Sequence, residues 1–130
     1  MKKFLRLLII GFYLFAGLYH FINPEFYYGL IPDYLPFPKF INYFSGVLEI
    51  LLAIGVAVPK YRRLASHGII LLLILFIPSH VYFIQIGSCV EGGLCVSPWI
   101  AWVRLLVIHP LLMFWAWSVA PNALRKQISD

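Results

Sequence analysis

Four side chains carry most of the chemistry this sequence offers: His20, Glu49, His80 and Arg104. Each stands within a long apolar run, where an ionisable group is expensive. A carboxylate at the centre of a bilayer costs roughly 3 kcal/mol or more, so it needs a partner or stays protonated. Arg104 cannot shed its charge, whereas a histidine can stay neutral, and Arg104 is therefore the expected partner of Glu49. Ser45 lies one helical turn from Glu49. The set suits proton handling and hydrogen bonding to a small polar head group. Glu49 and Arg104 are the expected catalytic residues, and His20, Ser45 and His80 the expected ligand-binding ones. His20, His80 and Glu49 could also hold a metal, but no His pair at i, i+4 accompanies them and no metal site is assigned.

The second chemistry-bearing group is the pair Cys89 and Cys95, which encloses VEGGL. Gly92 and Gly93 allow a turn tight enough to join the sulfurs, and a disulfide bracing the loop is the first reading. A redox-active pair is the sharper one. Against it stand the C-x5-C spacing and the absence of a neighbouring Lys, Arg or His to favour the thiolate.

Composition sets the frame for these residues. The chain has 130 residues, 62% hydrophobic and only 12% charged, too few charges to cover a water-soluble domain of this size. Spans of about 20 residues fit the chain four times over, with short connections. The expected fold is all-α: one transmembrane domain over residues 1–130, a four-helix bundle running up-down-up-down with spans near 4–22, 39–58, 64–86 and 98–120. The net charge of +5 sits in short basic clusters beside the apolar runs, which is how orientation is set, and nucleic acid is not an expected partner.

The first apolar run follows MKKFLR, but Tyr19, His20, Phe21 and Asn23 stand where a signal-peptide cleavage site would need small residues, so an uncleaved span is expected. Residues 23–38, NPEFYYGLIPDYLPFP, hold four prolines that argue against a regular helix. Their aromatic residues suit either an interfacial belt or a lid over a pocket. Pro78 should kink the third span. Lys2, Lys3, Arg6, Lys60, Arg62, Arg63, Arg125 and Lys126 fall on one side of the membrane, with Lys39, Glu25, Asp33 and Glu91 on the other. Both termini are therefore expected on the cytoplasmic side.

Depth follows at about 1.5 Å per helical residue. Glu49 comes out roughly 15 Å below the outer end of its span, at the midplane, with Arg104 and His80 each roughly 9 Å below the outer end of theirs. Asn42, Ser45, Glu49, Ala53 and Val56 form one small and polar stripe, matched by Tyr13, Ala16, Gly17 and His20 on the first span. Arg104 and His109 are five residues apart, about 140° around an α-helix, so they should not both face Glu49.

The segments AGLYHF (16–21), NPEFY and SGVLEILLAIGVAVPKYRRLAS (45–66), with the third-span proline ahead of His80 and Arg104 on the fourth span, resemble the DoxX-like family of small four-helix membrane proteins. The resemblance implies the bacterial cytoplasmic (inner) membrane and redox work, as a subunit binding a quinone-like amphiphile beside redox-enzyme partner subunits. It carries over to His20, Ser45, Glu49, His80 and Arg104. A different class of function, a non-catalytic membrane chaperone or assembly factor with a structural polar core, fits the same residues. A thiol exchanger built on the cysteine pair is a third.

Overall fold

The computed structural model describes residues 1–121 and is helical throughout, apart from loops and one isolated antiparallel bridge between Cys89 and Cys95. Arg125 and Lys126, which contribute to the orientation count, lie outside the described residues. Helix α1 covers Lys2–Ile22, the short α2 Pro24–Tyr28, α3 Pro38–Ala57 and α4 Arg62–Gln85. The last apolar run is continuous over Pro98–Val119 but built in three pieces: α5 (Pro98–Val103), a π-helical turn (Arg104–Ile108) and α6 (His109–Val119). Four helices are thus long and apolar enough to cross a membrane. Their ends fall within a residue or two of the expected spans.

Prolines punctuate the chain. Asn23 leaves the helical region ahead of Pro24 and ends α1, its N–H closing on the Tyr19 carbonyl. Pro24, Pro38 and Pro98 each open a helix, where a missing N–H costs nothing. This corrects the reading of residues 23–38 as free of helix: a proline at the first turn starts α2 rather than preventing it. The basic turn does structural service as well, since Arg62 Nε and Nη2 donate to the Val56 and Ala57 carbonyls, at 2.9 and 3.3 Å, that α3 leaves open at its end.

The long helices form a closed ring in which α1 packs on α3, α3 on α4, α4 on α6 and α6 back on α1. The tightest crossing is α1 against α3. A methyl group added at Gly46 would lie 2.7 Å from His20 Cβ and 2.9 Å from the Gly17 carbonyl oxygen. Only glycine permits that approach, as small-residue stripes do in membrane helices generally. The turn end of the bundle is filled by an apolar cluster including Tyr13, Ala53, Val56, Ile69, Leu73 and Ala116. A second cluster at the other end joins Leu30 and Phe26 of the α2 segment to Phe83, Val90 and Ala101. The polar residues of the expected site lie between the two. On the outside, large apolar side chains such as Phe15, Leu51, Leu71, Leu106 and Phe114 are exposed, as a lipid-facing surface requires.

Gly46→Ala should therefore push α1 from α3 and lower stability by about 1–3 kcal/mol, read as thermal unfolding in detergent micelles. Gly11→Ala, where an added methyl meets nothing within 4 Å, should be neutral or slightly stabilising. Equal losses from the two would remove the close crossing as the determinant.

Candidate functional site

Asn42, in the second turn of α3, organises one wall. Its Nδ2 donates to the His20 carbonyl at 3.0 Å, capping one of the carbonyls that α1 leaves open at its end. Its Oδ1 stands 2.6 Å from His20 Nδ1. An amide oxygen only accepts, so with this amide orientation Nδ1 carries the hydrogen and, in the neutral ring, Nε2 is left as an acceptor. The His20 ring is stacked on Tyr27 of α2, with centroids 3.7 Å apart and planes 13° off parallel. Asn42 at the edge and Tyr27 on the face fix the ring in place.

The free nitrogen is turned toward the acid. His20 Nε2 lies 3.7 Å from Glu49 Oε2, too far for a hydrogen bond but with space for only a small adjustment between them. Glu49 is 4% exposed, and its Oε2 has no hydrogen-bond partner. Tyr13 Oη, on the neighbouring face of α1, is also buried and unpartnered. Buried polar atoms are nearly always satisfied, so two orphans lining one space mark a place where something else can bond.

Opposite stands a basic wall from α4 and the last span. His109 Nε2 donates to the Leu73 carbonyl at 2.6 Å, and the edge of its ring meets His80, centroids 4.7 Å apart. Arg104 opens the π-turn, which closes with the His109 N–H on the Arg104 carbonyl. The turn has a local cause: in an α-helix the Pro110 ring would press on the Leu106 carbonyl one turn back, and a widened turn relieves it. Its effect on the site is direct. With about 4.4 residues per turn in place of 3.6, positions five apart come close to one face, and Arg104 and His109 both line the interior. The expectation that they diverge by about 140° assumed an unbroken α-helix and is corrected here.

Between the walls is a cavity of about 610 Å³, lined by all five expected residues, His20, Ser45, Glu49, His80 and Arg104, and also by Tyr13, Tyr27, Asn42 and His109. The α2 segment covers it through Phe26, Tyr27, Leu30 and Ile31, so residues 23–38 form a lid. Burial chiefly, with the nearby Glu49 and Tyr19 adding to it and Arg104 opposing, pushes the Tyr27 phenol up to about 12, so it stays a neutral donor over the cavity. The expected Glu49–Arg104 ion pair is not formed. Glu49 sits against His20 because the glycine crossing draws α1 onto α3, and Arg104 belongs to the far wall across the open space. Of the residues missed, Asn42 lay on the polar stripe already recognised. His109 could have been found only by reading Pro110 as the cause of a π-turn.

Cys89 and Cys95 are joined as a disulfide. Val90, just inside the bridge, packs on Gly29 at the end of α2, so the bridged loop braces the lid. Among the described residues no group of three or more His, Cys, Asp or Glu is placed to hold a metal ion.

Residues 9–120 match the family described as a domain of unknown function, DUF8561, and the chain belongs to that family. No curated protein and no solved structure matches it.

The tautomer assignment is open to test. Nitrogen-15 spectra of His20 should show the proton on Nδ1, and Asn42→Ala should abolish that preference and cost about 1 kcal/mol of stability. A wild-type His20 protonated on Nε2 alone would refute the arrangement.

Proposed function

We propose that this member of the DUF8561 family is a redox-linked subunit of the bacterial cytoplasmic membrane that binds a quinone-like amphiphile in the lid half of its bundle. The observation that carries the reading is the cavity itself: about 610 Å³, within the range of small-molecule sites, apolar for most of its lining and with polar groups converging from two walls. The redox assignment and the choice of membrane rest on a proposed relation to the DoxX-like family, argued from the segments AGLYHF (16–21) and SGVLEILLAIGVAVPKYRRLAS (45–66). The distribution of Lys2, Lys3, Arg6, Lys60, Arg62 and Arg63 supports an orientation with the amino terminus and the 59–63 turn in the cytoplasm and the lid outside.

In this reading each wall has a task. Glu49 exchanges a proton with a head-group oxygen, the role for which a carboxyl with an unbonded oxygen is placed. His20, its Nδ1–H held by Asn42, offers Nε2 as the acceptor that passes the proton on. Arg104, on the far wall, would hold negative charge developing on the other head-group oxygen, with His80 as a hydrogen-bonding neighbour and the Tyr27 phenol as a donor from the lid. The electrons come from partner redox subunits, which places the protein in a complex rather than alone.

A second reading, a non-catalytic assembly factor, draws on the two histidine bonds, His20 to Asn42 and His109 to the Leu73 carbonyl, which tie helix to helix. Solvent extraction of protein purified from membranes separates the two. The redox reading expects a quinone in the extract. It also expects Glu49→Gln, close to the original in shape, to lower quinone retention at least about tenfold with thermal stability little changed. No quinone in the wild type, and only a stability change in the variant, would establish the assembly role instead.

A further inference from the structure

The cavity is not confined to the interior of the ring. Around α3, Phe40 and Phe44 lie far from the Glu49 face and are 65% and 51% exposed, yet both line the same space. On α4 the same holds for Leu75, 62% exposed, with Ser79 on the adjacent face. Phe12 of α1, Tyr34 of the lid and Ile108 of the last span are also exposed and border the space. The α3–α4 side carries the most such residues, Phe40, Phe44, Leu75 and Pro78. There the space bounded by the buried Glu49 reaches outward-facing side chains of two neighbouring helices.

The sequence builds this gap as a wedge. At the turn end the two helices meet through small residues: a methyl added at Gly55 would lie 2.7 Å from Ala65 Cβ, and Gly68 sits directly against Leu52. Toward the lid the facing positions become Leu48 and Phe44 on α3 and Leu72 and Phe76 on α4. Side-chain size at the contact sets interaxial distance, so the larger residues toward the lid favour a wider separation there. Ser79 is the polar side chain on the α4 flank of the gap, and among the described residues none of those named on its flanks is charged.

We propose that the cavity is filled sideways from the bilayer, through a portal between the lid-side halves of α3 and α4, by an amphiphile with a ring head and one long apolar tail. The head comes to rest among His20, Glu49 and Arg104 and the tail remains in the gap. The lining dictates the division: His20, Glu49 and Arg104 stand on the inner walls, whereas the flanks of the gap are formed mainly by apolar side chains such as Phe40, Phe44, Leu75 and Phe76. The inference rests on the reading that the cavity binds an amphiphile, and adds its route and the form of its ligand.

The test uses a dimethoxy-methyl-benzoquinone carrying a decyl tail with a terminal diazirine. The full chain is reconstituted in phosphatidylcholine–phosphatidylglycerol vesicles, and photo-adducts are mapped by peptide mass spectrometry. The portal requires adducts on the flanks of the gap, around Phe40, Phe44 and Leu75, that excess unlabelled decyl quinone removes and Glu49→Gln diminishes. Ser79→Trp, which fills the gap, should reduce them at least about tenfold. Competable adducts on α1 and α6, or undiminished labelling of a folded Ser79→Trp protein, would overturn the portal and leave the head site standing. Should that variant misfold, the wild-type map decides alone. No competable adduct anywhere would overturn both the portal and the binding reading.

Discussion

Everything polar in this bundle depends on how closely α1 can approach α3. With a side chain at Gly17 or Gly46 the two helices would stand apart, Asn42 would not reach the end of α1, and His20 would not face Glu49. The crossing therefore joins two functions usually found separately, packing and placement. It also settles which basic group keeps the acid company. A guanidinium would have neutralised Glu49 and filled the centre of the bundle. A histidine oriented by an amide leaves one carboxyl oxygen unbonded and the space beside it open.

The apolar runs and prolines made the elements legible almost residue by residue, since a backbone in lipid has few alternatives to a helix. The polar set was legible for a related reason: His20, Ser45, Glu49, His80 and Arg104 are conspicuous in segments with so few polar groups, and all five line one cavity. Partnership was not legible. Reasoning from charge paired Glu49 with Arg104, because depth and charge can be estimated from sequence while the separation of two helices cannot. The π-turn was missed because helical periodicity was applied through Pro110 without asking what that ring does to the turn before it. The lid was half seen. Its aromatic content was noticed, but prolines were counted as breakers when the first of them starts a helix.

The cysteine pair gains its place from the lid. Bridged Cys89 and Cys95 hold Val90 against Gly29, and that contact belongs to the same apolar cluster as Phe26 and Leu30. A loop distant in sequence from the acid thus shares in covering it. The bundle is closed at one end by its own core and at the other by a braced flap.

Arg104 has a consequence for how such a protein comes into being. Its helix is the last of the four to be synthesised, and a guanidinium at this depth costs an isolated helix about 3 kcal/mol in lipid. The final segment is thus the one least able to rest in the bilayer alone. Its shelter, a polar wall facing Glu49, His20 and Asn42, exists only once the first three helices are assembled. A fourth helix that meets the other three finds that polar wall at once, whereas one lying alone in lipid has nothing to shelter its guanidinium. The same charge that lines the cavity thus favours the assembled bundle over separated helices.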